Sequence, residues 1–155
     1  MCGILGFITN AKKNRQELLN TMLNCSKIIR HRGPDWNGVF ISPNNNVALA
    51  HERLSIVDVN TGNQPLYSPD NSIVLVCNGE IYNHIKIREK YNYNYQTKSD
   101  CEVIIPLYIK YGNNCVKYLD GIFCFILYDI KNNVILVGRD RIGVNPLYWG
   151  MSSDE

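Results

Sequence analysis

Three kinds of segment are missing from this chain, and each absence removes a class of function. No basic run and no basic–aromatic stripe occurs: 16 Lys and Arg residues are scattered among 14 Asp and Glu for a net charge of +2, so nucleic acid is not an indicated partner. Long apolar runs are missing too. The stretch Gly3 to Ile8 is too short for a signal h-region or a membrane span and has no basic segment before it, which predicts a cytoplasmic protein with no membrane partner. The six cysteines, at 2, 25, 77, 101, 115 and 124, form no C-x-x-C pair and share no zinc-type spacing with histidine. They predict reduced thiols, most of them packed as small hydrophobes, and no metal site. Without a repeat or low-complexity linker, 155 residues make one domain with room for one site.

What is present begins at the second residue. Cysteine is small enough for removal of the initiator methionine, which would leave Cys2 with a thiol and a free α-amine a few bonds apart. The amine has a reference pKa of about 7.7 to 8.0 and the thiol about 8.5, so the amine, directly or through one water, is a base for its own residue's nucleophile. Taken alone, Met1-Cys2 is better explained by chance.

Apolar spacing outlines the elements around it. Gly3 to Thr9 reads as a short strand that anchors Cys2. Leu18, Met22, Cys25 and Ile29 recur at helical spacing and predict an amphipathic helix over 15–30, broken by His31-Arg32-Gly33-Pro34-Asp35. Gly38 to Ser42 and Val47 to His51 predict a hairpin around Pro43 to Asn46, and Leu54 to Val57 another short strand. Ile73 to Cys77 reads as a buried strand ended by Asn78-Gly79. Ser99 or Asp100 is placed to cap a helix reaching Tyr111, with Val103, Leu107 and Tyr111 inward and Gly112 as its stop. Gly121 to Asp129 and Val134 to Gly138 predict adjacent antiparallel strands, and Pro146 to Gly150 a last element. Strands outnumber helices and their connections are hairpin-like, which predicts antiparallel sheet covered by a few helices, an α+β fold.

Four further segments hold residues that a core does not need: His31 to Asp35, His51 to Asp58, Asn78 to Asn83 and Ser99 to Glu102. Each also has a local explanation. Asn78-Gly79 is a favoured turn dipeptide, Arg53 has Glu52 beside it for a surface ion pair, and Asp100 suits a helix N-cap.

Taken together with Cys2, these segments resemble the glutaminase domain of glutamine-hydrolysing asparagine synthetases, a class II glutamine amidotransferase of the N-terminal nucleophile hydrolase type. The resemblance runs from Met1-Cys2-Gly3-Ile4 through His31-Arg-Gly-Pro-Asp35, Ala50-His-Glu-Arg-Leu-Ser-Ile-Val-Asp58, Gln64-Pro-Leu66, Asn78-Gly-Glu-Ile-Tyr-Asn83 and Ser99-Asp-Cys-Glu-Val103 to Gly138-Arg-Asp140 and Pro146-Leu-Tyr148. It implies a four-layer α/β/β/α sandwich of antiparallel sheets, truncated at its C-terminal end, over residues 2–155. It implies Cys2 as the nucleophile toward L-glutamine and Asn78 with Gly79 as the oxyanion donors. Arg53 is then the partner of the substrate α-carboxylate, Glu80 and Asp100 the partners of the α-ammonium, and Leu54, Ser55, Ile56 and Val57 the pocket wall.

His31 to Asp35, with Arg32, is expected to be structural, and Gly138 to Asp140 with Pro146 to Tyr148 to build the sheet end and a surface facing a partner domain. A catalytic histidine is not required, since the terminal amine supplies the base. The family's synthetase domain activates aspartate with ATP and magnesium. This chain contains no Ser-Gly-Gly-x-Asp-Ser loop and no P-loop, so no cofactor is expected within it and a synthetase domain or subunit is the expected ammonia acceptor. A free-standing amidotransferase subunit serving another acceptor, and a non-enzymatic remnant acting as a binding module, are the alternatives.

Overall fold

The computed structural model describes residues 2–55 and 61–151. Two antiparallel sheets lie face to face with helices outside each. The first sheet has the order β1 (Gly3–Ile8), β3 (Val47–Arg53), β2 (Trp36–Ile41), and the second the order β4 (Leu66–Tyr67), β5 (Ile73–Ile81), β6 (Gly121–Asp129), β7 (Val134–Arg139). Helix α1 (Arg15–Ile28) covers the first sheet, while α2 (His84–Lys90) and α3 (Ile104–Tyr111) cover the second. The layers therefore run α/β/β/α, as expected for the four-layer sandwich.

Strand periodicity assigns the side chains to three apolar cores. Ala48 and Ala50 on β3 join Leu18 and Met22 of α1. Val47 and Leu49, one residue out of phase, face Val74, Val76, Ile126 and Tyr128 between the sheets. Leu75, Cys77, Phe123, Phe125 and Leu127 face Ile104, Ile105 and Leu107 on the far side. A one-residue slip of β5 would drive Leu75 and Cys77 into the space of Val74 and Val76, so the hydrophobic pattern locks the register.

The hairpin β2–β3 pairs Ile41 with Ala48, and β6–β7 pairs Asp129 with Val134, as the spacing predicts. Gly112 stops α3 at φ +55°. Val103 and Leu107 are buried and Tyr111 is half-buried against the same core.

Several expectations are corrected. In α1 the buried positions are Leu18, Met22 and Ser26, and Cys25 is exposed, because the contact stripe follows the i, i+4 row. The helix ends at Ile28 and continues as a 3₁₀ turn, Arg30–Arg32. The strand expected to end at Cys77 runs through Asn78-Gly79 to Ile81, since nine consecutive pairs with β6 outweigh the local turn preference. Leu54 and Ser55 carry no strand, while Ile56 and Val57 lie outside the described residues. Neither Ser99 nor Asp100 caps a helix with its side chain. Residues 146–150 form no regular element, and Tyr148 and Trp149 stand 88% and 86% exposed.

Candidate active site

The polar residues gather at one mouth of the space between the sheets. Along β3 the inward positions read Val47, Leu49, His51, Arg53, and along β5 they read Val74, Val76, Asn78, Glu80. In both strands two apolar side chains give way to two polar ones, so the core passes into a pocket. Cys2, just before β1, shares the parity of Ile4, which packs into the intersheet core. Cys2, Arg53, Leu54, Asn78, Gly79, Glu80 and Asp100 line this pocket together. Glu80 is exposed at its rim, whereas Asn78, Arg53 and Asp100 are buried.

Cys2 is held on three sides. The N–H of Leu54 donates to its Sγ at 3.3 Å, Sγ lies 3.7 Å from the Leu54 carbonyl, and Arg32 Nε donates to its backbone carbonyl at 3.0 Å. The loop 31–35 reaches this position because Gly33 carries no side chain: a Cβ there would come within 2.2 Å of the Glu52 carbonyl oxygen. Asp35 completes the join by accepting the N–H of Ser55 at 2.8 Å. Burial pushes the Cys2 thiol above its ordinary pKa, and the Leu54 N–H pulls it back by less. The thiol form therefore prevails at neutral pH, and a nucleophilic Cys2 needs a base beside it.

The β5 segment at the pocket is an open sheet edge. Phe123, which faces Gly79 across the ladder, exchanges hydrogen bonds with Asp140 on its other side: the Asp140 N–H donates to the Phe123 carbonyl at 2.8 Å and the Phe123 N–H to Asp140 Oδ2 at 3.3 Å. Antiparallel geometry then turns the N–H and C=O of Cys77, Gly79 and Ile81 away from β6. Side chains take the place of a neighbouring strand there. Gln64 accepts the Cys77 N–H at 2.6 Å and donates to its carbonyl at 3.0 Å, a bond that His51 Nε2 matches at 3.0 Å. Asp100 Oδ2 accepts the Ile81 N–H at 2.7 Å. Between these two, the Gly79 N–H points to the pocket. A Cβ on Gly79 would lie 2.3 Å from the Ile122 carbonyl oxygen, so the backbone approaches as closely as it does only because the residue is glycine.

Polar neighbours fix the rest. Arg53 Nη1 donates to Asn63 Oδ1 at 2.6 Å. Arg53 and Glu52 point to opposite faces of β3 and are both buried, which rules out the surface pair suggested by adjacency. Glu52 instead accepts from Asn37 Nδ2 at 2.7 Å. Glu102 ties down the loop before Asp100 by accepting the N–H groups of Gln96 and Thr97 at 2.6 and 2.8 Å. Cys101, which also lines the pocket, stays a thiol because its hydrogen bond with Cys77 and its burial both oppose ionisation.

Sequence reasoning missed Gln64, Asn63, Cys101 and Asn145. Gln64 and Cys101 lie in matching segments that gave them no task, and Asn63 and Asn145 carry no local signature.

His51 is fully buried, and burial lowers its pKa from 6.5 to about 4 despite the bond to the Cys77 carbonyl, which acts the other way. The ring is therefore neutral at working pH and is no proton carrier there. The unfolded chain takes up this proton below pH 6.5 and the folded chain only near 4, so acidification across that window removes stability, by about 3 kcal/mol when complete. Urea unfolding at pH 7 and pH 4.5 is expected to show the decline, and His51→Gln to flatten it. An equal slope in the variant rejects the assignment.

The family model described as "Glutamine amidotransferase domain" matches residues 1–155. The chain is similar to asparagine synthetase B [glutamine-hydrolyzing] of Escherichia coli (strain K12), at 49% identity over 152 residues, covering 97% of this chain and 27% of that protein. It is also similar to the probable asparagine synthetase [glutamine-hydrolyzing] of Schizosaccharomyces pombe, at 48% identity over 156 residues, covering 99% of this chain and 28% of that protein. The chain thus spans about a quarter of the length of these relatives. Among solved structures, the glutamine phosphoribosylpyrophosphate amidotransferase from B. subtilis superposes with a TM-score of 0.73 at 18% identity, over 97% of this chain and 40% of that one. At that identity the superposition establishes the shared fold.

Proposed function

The chain belongs to the glutamine amidotransferase family, and from that premise we propose that it hydrolyses L-glutamine to glutamate and ammonia with Cys2 as nucleophile. The observation that carries this reading is the convergence of Cys2 Sγ, the Asn78 side chain and the outward Gly79 N–H on one pocket.

Removal of Met1 frees the α-amine of Cys2, which takes the thiol proton that burial otherwise retains. The thiolate attacks the side-chain carboxamide carbon of glutamine and forms a C–S bond. The resulting oxyanion accepts hydrogen bonds from Asn78 Nδ2 and the Gly79 N–H. Collapse breaks the C–N bond, and the nitrogen leaves as ammonia with the proton returned by the amine. Water then attacks the thioester through a second oxyanion and releases glutamate and the thiol.

Substrate selection needs both charges of the amino acid. The Arg53 fork suits the α-carboxylate, and Glu80 at the rim with Asp100 beneath it suits the α-ammonium. An amide lacking either charge forgoes a charge-assisted pairing with the pocket, which favours the amino acid over such amides. Leu54 forms the wall next to Cys2; Ser55, held by Asp35, does not line the pocket, and Ile56 and Val57 lie outside the described residues. This chemistry draws on the chain's own residues and water. The names of its relatives, glutamine-hydrolysing asparagine synthetases, support asparagine synthesis as the use of the ammonia; the acceptor in this reading is a synthetase domain or subunit that activates aspartate with ATP and magnesium.

Incubation with L-glutamine is expected to release glutamate and ammonia in equal amounts, with mass spectrometry finding Cys2 at the N-terminus of the active molecules. A variant with one residue inserted between Met1 and Cys2 should be inactive. Full activity in a molecule that keeps residues ahead of Cys2 rejects the amine as base.

A further inference from the structure

Asn145 lies 67 residues from Asn78 along the chain, yet it is only 1% exposed and is bonded to Asn78 twice. Its Nδ2 donates to the Asn78 backbone carbonyl at 3.0 Å, and its Oδ1 accepts from Asn78 Nδ2 at 3.3 Å. The two ends of a carboxamide are not interchangeable in this arrangement. A backbone carbonyl only accepts, so Asn145 must turn its NH2 toward it. Its Oδ1 then faces the Asn78 side chain and can only accept, so Asn78 must present its own NH2. One hydrogen of that NH2 goes to Asn145 and the second remains for the pocket. A flipped Asn78 would set two carbonyl oxygens against each other and turn an acceptor toward the site.

Asn145 is itself fixed by a turn latched to the sheet. Asp140 Oδ1 accepts the N–H groups of Ile142, Gly143 and Val144 at 3.1, 2.7 and 3.2 Å, while its backbone and its Oδ2 bind both polar groups of Phe123 on β6. Burial works against the Asp140 charge, but these donors prevail and hold its pKa below the ordinary carboxylate value. Gly143 takes φ +75°, which closes the turn in a conformation that other residues rarely adopt. The turn thus hangs from the residue that faces Gly79, so both oxyanion donors are placed from the same point of β6.

We propose that Asn145 is a positioning residue that orients the Asn78 carboxamide with its NH2 toward the nucleophile. The inference rests on the function proposed above, in which Asn78 donates to the oxyanion.

Asn145→Ala and the bulkier Asn145→Leu, made in the full 155-residue chain, free the Asn78 amide to rotate. Their kcat for glutamine should fall about 10- to 30-fold, less than for a deleted oxyanion donor, with KM changed less than about twofold because Arg53, Glu80 and Asp100 are untouched. In an Asn78→Ala background the Asn145 substitution should add nothing to the loss. A structural role alone predicts additive losses and a KM that moves with kcat, and that pattern overturns the proposal. The second readout needs no activity: the side-chain NH2 resonances of Asn78, identified by their loss in Asn78→Ala, should shift in the Asn145 variants while backbone amides of β5 and β6 stay in place. Unmoved resonances also overturn it. A wild-type chain that hydrolyses no glutamine rejects the proposed function instead, and the Asn78 resonances still decide whether Asn145 orients that side chain.

Discussion

Cys2→Ala should form no thioester and release no glutamate, a loss of at least about 10³-fold in kcat, as expected when a nucleophile is deleted. Other thiols line the same pocket but do not substitute. Cys77 points its side chain into the core beneath α3, and Cys101 is kept protonated by its bond to Cys77 and by burial. Serine at position 2 should also be poor, because a hydroxyl is far less acidic than a thiol and offers the same amine far less anionic nucleophile. Binding should survive, since Arg53, Glu80 and Asp100 remain. The fold should survive as well: the only side-chain bonds described for Cys2 are the two long ones to Leu54. Calorimetry with L-glutamine on Cys2→Ala, beside a glutamate assay and mass spectrometry of acid-quenched protein, checks all three points. An acylated Cys2→Ala protein, or one that turns over glutamine, removes Cys2 from the mechanism.

Asn78→Ala should lower kcat about 10²- to 10³-fold, or about 3 to 4 kcal/mol of barrier, with a much smaller change in KM. The donor acts on an oxygen that carries full charge only in the tetrahedral states, so ground-state binding hardly depends on it. The cost to stability should be about 1 kcal/mol, since the side chain makes one hydrogen bond, of 3.3 Å, to Asn145. Asn78→Asp should be worse than alanine, because a carboxylate beside the oxyanion repels it. Gly79→Ala makes a useful contrast. Its Cβ would meet the Ile122 carbonyl oxygen at 2.3 Å and Phe123 Cα at 2.6 Å, so that variant should lose the β5–β6 pairing and its fold before its chemistry can be read. Stopped-flow or steady-state kinetics with parallel urea unfolding separates the two cases. A kcat within threefold of wild type for Asn78→Ala would remove Asn78 from the oxyanion site.

The motifs that suggest chemistry here sit where local rules point elsewhere. Asn78-Gly79 has the composition of a turn, and only its pairing with Cys124 and Phe123 keeps it in a strand. Asp100 has the look of an N-cap, yet its carboxylate takes the N–H of Ile81 on another element. Glu52 and Arg53 read as a surface pair until the pleat sends them to opposite faces. In each case a long-range partner offers the polar group more than its neighbours in sequence do. The helix α1 and the two hairpins were legible because their stabilising contacts are local or one short loop away.

Strand period and residue chemistry are properties of the chain itself, so the series Val47, Leu49, His51, Arg53 and Val74, Val76, Asn78, Glu80 already state that each strand carries an apolar face turning polar at one end. Cys2 announces a nucleophile only together with the matching segments at Asn78-Gly79, Arg53 and Asp100, all of which are also present in the sequence. That these ends meet is a matter of sheet packing. Register places Gly79 opposite Phe123, the loop before β4 and the 3₁₀ turn before α3 supply Gln64 and Asp100 to the open edge of β5, and the turn after β7 brings Asn145 to Asn78 across 67 residues. Such contacts depend on loop closure and on the burial of whole faces, which no local window contains. The sequence by itself therefore determined the reacting groups and the periodicity that aims them, while the tertiary structure alone decided which donors converge on Cys2 and how each is held.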